Sequence, residues 1–195
     1  MDTLERLKRR RELATPDERI SGFVFSALMQ VVARSLGDTP IAELRARGHF
    51  PKRVIPFLKY PGADFLALTQ VLVEHRLAGG EQLHPVLESV GDVGTRSFLE
   101  SPPGQLMQTL NGANVHRMLA YAAVAYDITY SFGTRKVERE SERSAELRYS
   151  GDVLGPSVQS GVVKVGLGLP CNVQITTTLV DCDDNGRNFC LGIAW

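Results

Sequence analysis

Residues 156–195, PSVQSGVVKVGLGLPCNVQITTTLVDCDDNGRNFCLGIAW, decide the fold class of this chain. Residues 156–169 begin with a proline, which suits the first turn of a helix, and they predict one helix. Residues 171–182 and 187–195 are rich in β-branched and apolar residues and flank an Asp-Asp-Asn-Gly turn, so they predict two strands of a hairpin. We therefore expect the order helix, strand, turn, strand, with Trp195 closing the last strand.

More strands are predicted just upstream. Residues 134–149 are dense in alternating charge, and Val137, Ala145, Leu147 and Tyr149 share one parity. A helix over these residues would have almost no apolar stripe, whereas an extended strand or a hairpin would leave one face in water. The pattern therefore predicts one strand or a hairpin.

The first two-thirds of the chain are predicted to be helical, because apolar residues recur there at helical spacing between capping residues, prolines and glycines. Residues 4–13 predict a short helix or a frayed end, and their basic run 8–11 is expected to be solvated. Residues 15–18 have the pattern of a capping box and predict a helix start. Further helices are predicted over residues 23–36, 39–47, 61–77, 82–90, 102–111 and 114–131.

Helices followed by strands indicate an α+β fold, in which an N-terminal helical part packs on a small antiparallel sheet of β-β-α-β-β type. One domain is expected over residues 1–195, with a mostly helical part at 1–132 and an α/β part at 133–195. The glycines of the last predicted helix, Gly161, Gly166 and Gly168, are expected to let it lie close to the sheet.

Composition excludes several classes of function. The 22 basic and 22 acidic residues cancel, so no net field favours nucleic acid or an anionic membrane. No apolar run approaches the roughly 20 residues of a spanning helix, and residues 1–13 lack the apolar stretch of a signal peptide. Three widely spaced cysteines, Cys171, Cys182 and Cys190, are expected to be reduced. We therefore predict a cytoplasmic protein with no nucleic-acid partner and no membrane span.

Motifs for catalysis and metal binding are missing. The four histidines, at positions 49, 75, 84 and 116, share no i, i+3 or i+4 spacing and lie apart from the cysteines, so they form no local metal signature. Neither a Gly-x-Ser-x-Gly motif nor a phosphate-binding loop occurs. The acidic residues Asp181, Asp183 and Asp184 are explained by turn chemistry. We predict no catalytic residue, no metal site and no cofactor, and we expect the protein not to be an enzyme.

Aromatic residues suggest a binding site. They cluster in the proline-rich connector 50–60, along the helix 114–131 and on the strand beyond it, at Phe50, Phe57, Tyr60, Tyr121, Tyr126, Tyr130, Phe132 and Tyr149. Buried tyrosines usually need a hydrogen-bond partner, so this set either lines a pocket between the helical part and the sheet or forms plain core. His116 is expected near a buried face. The predicted pocket residues are His116, Tyr60, Tyr126 and Tyr149.

Several segments, in this order, resemble a paralogous family of unknown function that is abundant in myxobacteria. They are residues 21–25 (SGFVF), 57–61 (FLKYP), 97–104 (SFLESPPG), 161–163 (GVV) and the strand that ends in Trp195. The resemblance runs from about residue 20 to the end. It implies a fold and no particular biochemical activity.

That family is in turn similar to the H-NOX, four-vinyl-reductase and TRAPP-like domains, which implies a helical part followed by a small sheet. H-NOX domains hold haem through a histidine on the helix before the sheet and through a Tyr-x-Ser-x-Arg motif that binds the propionates. By this resemblance His116 would be the haem ligand. Residues 149–153 (YSGDV) depart from the motif, because Gly151 replaces the serine and Val153 replaces the arginine, which removes the charge-assisted partner of the propionates.

The favoured hypothesis is a non-enzymatic binding or regulatory module that senses a small apolar ligand or scaffolds a protein partner. The resemblance also implies a homodimer. The alternatives are a haem- or tetrapyrrole-binding sensor that uses His116, and an enzyme of unrecognised type. A closed cavity lined by Tyr60 and Tyr126 would favour a ligand, whereas an exposed apolar patch would favour a partner.

Overall fold

The computed structural model describes residues 2–46 and 53–195, so the expectations for His49 and Phe50 lie outside the described residues. The described residues form eight helices: α1 Leu4–Leu13, α2 Gly22–Leu36, α3 Thr39–Ala46, α4 Gly62–Ala78, α5 Leu83–Leu99, α6 Pro102–Asn111, α7 Val115–Thr129 and α8 Pro156–Cys171. They also form six strands: β1 Arg19–Ser21, β2 Lys59–Pro61, β3 Thr134–Ser141, β4 Ser144–Ser150, β5 Thr176–Cys182 and β6 Phe189–Ala194.

Four strands make an antiparallel sheet in the order β3-β4-β6-β5. Leu147 of β4 pairs with Leu191 of β6, and because side chains alternate across a strand, every second residue of both strands points to the helices. This inner face packs on α7 and α8 in one apolar cluster of Val115, Met118, Leu119, Ala145, Leu147, Tyr149, Val163, Leu167, Cys171, Ile175, Phe189, Leu191 and Ile193. The predicted α+β fold, with a small antiparallel sheet packed on helices, is confirmed. The single-domain organisation stays a prediction.

Two short strands connect separate parts of the helical region. Ile20 of β1 pairs with Tyr60 of β2, and Ile20 also forms a bridge to Tyr130 at the end of α7. These strands have three residues each, which is too short for an alternating pattern to be visible in the sequence. They hold the starts of α2 and α4 side by side.

Several element boundaries differ from the sequence prediction, most of all at α8, β5 and α5. Helix α8 continues to Cys171 with Pro170 in its last turn, and Asn172 ends the helix in the left-handed region at φ 52°. Strand β5 therefore begins only at Thr176. Helix α5 runs to Leu99 instead of ending near residue 90, since its internal glycines serve a close helix contact and do not break it.

The capping-box sequence at residues 15–18 does not start a helix. The Glu18 carboxylate does accept a hydrogen bond from the Thr15 main-chain nitrogen at 2.7 Å, as in a capping box. However, the chain turns and enters β1, because residues 19–21 gain a strand partner. Glu18 also forms an ion pair with Arg187 beyond the β5–β6 turn.

The expectation that residues 8–11 are solvated is wrong for Arg10, which is fully buried. Its Nη1 donates to Asp2 Oδ1 at 2.7 Å and to the Asn185 carbonyl oxygen at 3.4 Å. The guanidinium lies so close to Gly155 and Gly186 that a Cβ on either residue would overlap it. Arg10 thus ties α1 to the start of α8 and to the β5–β6 turn.

Helices α5 and α8 approach each other closely at two glycines. A Cβ on Gly91 would lie 2.0 Å from the Val158 carbonyl oxygen, and a Cβ on Gly161 would lie 2.0 Å from the Glu88 carbonyl oxygen. The structure therefore places Gly161 against α5, and not against the sheet as the sequence suggested. This contact fixes the relative position of two walls of the cavity described next.

Candidate functional site

An apolar cavity of about 70 Å³ lies where α5, α6, α7 and α8 meet the inner face of the sheet. Its wall includes Met107, Met118, Leu119, Leu147, Val163 and Leu167. Gly94, Ala122, Ala125 and Gly166 also line it. Because these four residues carry little or no side chain, they leave space that larger residues would fill.

Arg135 of β3 brings a positive charge to the wall of this cavity. Its guanidinium carbon lies between two aromatic rings, 4.6 Å from the ring centre of Tyr126 and 4.7 Å from that of Tyr149. Its Nη2 donates to Gln159 Oε1 at 2.9 Å. Cation–π contacts stabilise a cation that has lost water, so the two rings hold Arg135 at the end of an otherwise apolar space.

Asp152, in the segment before α8, supplies the buried carboxylate of a polar network that also contains Arg135, Tyr126 and Gln159. Its carboxylate accepts hydrogen bonds from Tyr126 Oη at 2.8 Å, Gln159 Nε2 at 2.8 Å and the Gly155 main-chain nitrogen at 2.7 Å. Burial raises the pKa of Asp152, while the hydrogen bonds from Gly155 and Tyr126 and the charge of Arg135 oppose that rise. The network joins β3, α7 and α8 through buried polar groups.

Two donors of the network have no hydrogen-bond partner among the described residues: Nε of Arg135 and the hydroxyl of Tyr149. Burial raises the pKa of Tyr149 to about 12, so its hydroxyl keeps its proton at neutral pH. An unpaired buried donor costs about 1–3 kcal/mol. Because Arg135 lines the apolar cavity, its unpaired Nε suits a small ligand that combines an apolar body with an acceptor atom or a negative charge.

The structure brings together two of the four residues predicted to form a pocket. Tyr126 lines the cavity, and Tyr149 contacts Arg135 in its wall. Tyr60 is buried elsewhere, in the helical part, where its hydroxyl accepts a hydrogen bond from the Ile55 main-chain nitrogen at 2.8 Å. Tyr60 is not among the residues that line the cavity.

His116 also lies outside the cavity wall. It is half-buried at one end of the sheet, where its Nε2 lies 3.0 Å from the Glu142 carbonyl oxygen. Its ring packs edge-on against Trp195, with 5.0 Å between the ring centres. His116 therefore connects the start of α7 to the β3–β4 turn and to the residue after β6.

Three residues of the site were not predicted: Arg135, Asp152 and Gln159. A signal existed for Arg135, because it has the same parity as Val137 and so lies on the strand face that points to the helices. No comparable signal existed for Asp152 and Gln159. A polar residue in a connecting segment or in the first turn of a helix is usually exposed, so their burial depends on tertiary packing.

A second set of polar side chains, His84, Glu88 and Ser157, connects α5 and α8. His84 Nδ1 lies 2.8 Å from Ser157 Oγ, and His84 Nε2 lies 3.3 Å from Glu88 Oε1. The order Ser157, His84, Glu88 matches that of a nucleophile, a base and a carboxylate in a hydrolase. However, the Asp2 carboxylate accepts a hydrogen bond from the Ser157 main-chain nitrogen at 2.9 Å and places negative charge where an oxyanion would develop. We therefore assign this group a structural role.

Metal and membrane signatures are absent from residues 2–46 and 53–195. No group of three or more His, Cys, Asp or Glu in these ranges could hold a metal ion. No helix described there combines the length and the apolarity that crossing a membrane requires. Cys171, Cys182 and Cys190 are free thiols.

Residues 13–195 match the model of a family described as proteins of unknown function, DUF2378. The chain belongs to DUF2378. This finding confirms the resemblance seen in the sequence motifs, whereas a myxobacterial origin stays a prediction. No curated protein sequence matches this DUF2378 chain.

The DUF2378 chain is similar in fold to solved H-NOX proteins. An unliganded Fe(II) H-NOX protein from K. algicida gives a TM-score of 0.68 at 15% identity, with 90% of this chain and 96% of that chain covered. The Fe(II)NO form of an S. oneidensis H-NOX protein gives 0.68 at 16% identity, with 90% and 98% covered. A third structure, in which porphyrin distortion modulates haem redox potential, gives 0.61 at 14% identity, with 90% and 100% covered. At these identities the similarity shows a shared fold.

Haem does not fit the described residues of this DUF2378 chain. The cavity of about 70 Å³ is smaller than the roughly 150 Å³ cavity that admits benzene, and a porphyrin is several times larger than benzene. Neither histidine nor cysteine is among the residues that line it. His116 is engaged by Glu142 and Trp195 at the end of the sheet.

Proposed function

We propose that this chain is a non-enzymatic binding module that senses a ligand smaller than benzene, in which a short apolar body carries an acceptor group. The observation that carries the proposal is the apolar cavity with Arg135 in its wall. A ligand that filled the space would gain apolar contacts. Its acceptor would satisfy Arg135 Nε, a donor in the cavity wall that is otherwise unpaired.

The position of the cavity supports a regulatory role. Its wall combines residues of the helices with Leu147 of β4 and Arg135 of β3. An occupant would therefore favour one packing of the helices against the sheet over another, since a ligand shifts a conformational equilibrium by its differential affinity. The similarity to H-NOX structures, one of them in an Fe(II)NO form, supports a sensor module of the same general kind.

The proposal is tested by native mass spectrometry of the protein purified from its own or a related host. We expect a bound small molecule that is lost in Ala122→Leu, because Ala122 lines the cavity. The matched control is Ala123→Leu, on the exposed side of the same helix, which should retain it. A wild-type protein that carries no extra mass, and that takes up no small apolar acid or amide on titration, would contradict the proposal.

The alternative is a haem- or tetrapyrrole-binding sensor that uses His116. Similarity to a haem-containing structure favours it, whereas the cavity volume and the contacts of His116 oppose it. An absorbance scan before and after addition of haem decides between them. A Soret band that is lost in His116→Ala would establish the alternative, and no Soret band after haem addition would remove it.

We also propose that the module works with a protein partner, most simply as a homodimer, because α6 and α7 expose large apolar side chains. A cytoplasmic location suits its free thiols, since reducing compartments keep cysteines unpaired. An enzyme of unrecognised type is the remaining alternative. Labelling of Ser157 by a serine-directed fluorophosphonate would support it, and failure to label would count against it.

A further inference from the structure

Helices α6 and α7 present an exposed apolar surface. Leu106 and Leu110 of α6 are each 59% exposed, and Tyr121, Val124 and Ile128 of α7 are 43%, 53% and 40% exposed. The two helices pack against each other, so these five side chains extend outward from neighbouring elements. We call this surface the α6–α7 face.

Helix α7 is apolar on two sides. Its inner side, including Met118 and Leu119, is buried in the cluster beneath the sheet. Its outer side carries Tyr121, Val124 and Ile128 at spacings of three and four residues, which is the spacing of a seam between two packed helices. Because a helix that is apolar on both sides is normally buried on both, the outer side of α7 is expected to be covered.

The charges beside this seam make it complementary to itself. Arg117 and Asp127 are both exposed, and they lie about 15 Å apart along the helix axis, near its opposite ends. A two-fold axis that crosses α7 between Tyr121 and Val124 would run two copies of the helix antiparallel and bring each Arg117 toward the partner's Asp127. The nearby Lys59 ammonium is held by the main-chain oxygens of Asp127 and Tyr130, at 2.7 and 2.6 Å.

The size of the face agrees with a small dimer. Five side chains, each about half exposed, offer on the order of 400 Å² of apolar surface, which is the size of patch that marks interaction sites. Two copies of this patch, together with their polar rims, bury roughly 1,000 Å², the lower limit for a specific interface. The zero net charge of the chain adds no overall repulsion.

We propose that two copies of this chain pair antiparallel through the α6–α7 face, with Tyr121 and Val124 at the centre and Arg117 opposite the partner's Asp127. This inference rests on the homodimer named under the proposed function and specifies its interface. It does not depend on occupancy of the cavity, whose wall is formed by the opposite side of α7.

Sedimentation equilibrium from low micromolar to sub-millimolar concentration tests the central contact. Val124→Lys should raise the dimer dissociation constant at least about 100-fold, because the two-fold axis places two added ammonium groups in an apolar contact. The matched control is Val180→Lys, since Val180 is 56% exposed on β5, away from the α6–α7 face. The control should leave the dissociation constant within about twofold of wild type.

A charge swap tests the antiparallel arrangement. Arg117→Asp alone and Asp127→Arg alone should each weaken dimerisation about tenfold, because each places like charges opposite one another. The double variant should recover to within about threefold of wild type. Both substitutions suit the helix dipole, with an acid near the start of α7 and a base near its end. Asp127→Arg also removes a carboxylate that attracts the Lys59 ammonium, so thermal unfolding of each variant is measured beside dimerisation.

Three outcomes would overturn the proposal: a wild-type chain that stays monomeric at all concentrations, a Val124→Lys variant that dimerises normally, or a double variant that gains nothing over the single ones. A monomeric wild type would rule out self-pairing, and a different protein would then be the occupant to test. Uptake of a small apolar acid or amide by the Val124→Lys variant is measured in parallel. If uptake persists while dimerisation is lost, the sensor proposal and the dimer proposal are separated.

Discussion

Replacing Gly161 by alanine should destabilise this fold, although alanine is the better helix former. The added Cβ would lie 2.0 Å from the Glu88 carbonyl oxygen on α5 and 2.8 Å from its carbonyl carbon. These are backbone atoms, which cannot rotate out of the way. The two helices would therefore have to separate by roughly 1 Å or more at this point to reach a normal contact distance.

The expected magnitude follows from two opposing effects. Inserting a carbon into a tightly packed contact typically costs about 1–3 kcal/mol, and a backbone-to-backbone overlap belongs at the upper end of that range. Alanine returns about 0.5–1 kcal/mol, because glycine loses more conformational entropy in a helix. We expect Gly161→Ala to lower the free energy of unfolding by about 2 kcal/mol, out of a total of about 5–15 kcal/mol for a typical protein.

Gly166→Ala is the matched control on the same helix. Its Cβ would lie 3.5 Å from Thr95 Cγ2, an ordinary van der Waals contact. The gain in helix propensity then remains, so this variant should be more stable than wild type by about 0.5–1 kcal/mol. The same chemical change, five residues apart, should thus have opposite signs.

Urea denaturation followed by far-UV circular dichroism measures both variants, with stability taken from midpoints at a common slope. If Gly161→Ala were as stable as wild type, or if both variants shifted in the same direction by similar amounts, the close contact between α5 and α8 would not be what requires glycine at position 161.

Three further predictions concern buried polar groups. Although burial raises the pKa of Glu88, hydrogen bonds from two α8 side chains bring it below its ordinary value, so Glu88→Gln should cost about 1 kcal/mol at neutral pH. A carboxyl group with a lowered pKa contributes stability that is lost as the pH falls through its pKa in the folded state. Denaturation at several pH values should therefore show that the cost of Glu88→Gln becomes smaller in acid. A cost that stays constant with pH would refute this prediction. Burial, and then a neighbouring carboxylate, raises the pKa of the Cys190 thiol to about 11. Only about one Cys190 thiol in a thousand is then ionised at pH 8, and the ionised form is the one that reacts. Mass spectrometry after iodoacetamide treatment should therefore find Cys190 unmodified in the native protein and modified in denaturant. Asp2→Ala leaves the buried Arg10 charge unpaired and should cost about 3–5 kcal/mol, whereas Asp2→Ala with Arg10→Met should recover much of this; equal losses in thermal unfolding would contradict the pairing.

The architecture could be predicted from the sequence because it depends on local patterns. The charge alternation of residues 134–149 predicted a strand or a hairpin, which is the β3–β4 hairpin, and the turn at residues 183–186 predicted the β5–β6 hairpin. Capping residues located several helix starts, such as Asn114, whose side chain accepts a hydrogen bond from the Arg117 main-chain nitrogen. Each of these signals lies within a few residues of the structure that it specifies.

The wrong predictions concern residues whose environment is set by partners that are far away in the sequence. Gly91 looks like a helix breaker until Val158 of α8 is found against it. Arg10 looks solvated until Asp2 and the Asn185 carbonyl oxygen are seen around its guanidinium. No local pattern could have indicated either arrangement.

Only part of the candidate site could be predicted from the sequence, for the same reason. Helical and strand periodicity placed Tyr126 and Tyr149 on inward faces, and the structure puts both rings on Arg135. The cavity itself arises because small residues from three helices, including Gly94, Ala122 and Gly166, happen to converge. Such convergence is a property of the packed fold, and small residues of this kind are common in helices that line nothing.

The strand order has a consequence for synthesis of the chain. Strand β6 is the last strand in sequence, yet it lies between β4 and β5. Until residues 189–194 leave the ribosome, the β3–β4 hairpin has no neighbour on one side, and its apolar face is only partly covered. Unpaired strand edges of this kind readily pair with other chains. A chain that is released without β6 would therefore contain all the helices described above, while its sheet would lack its centre.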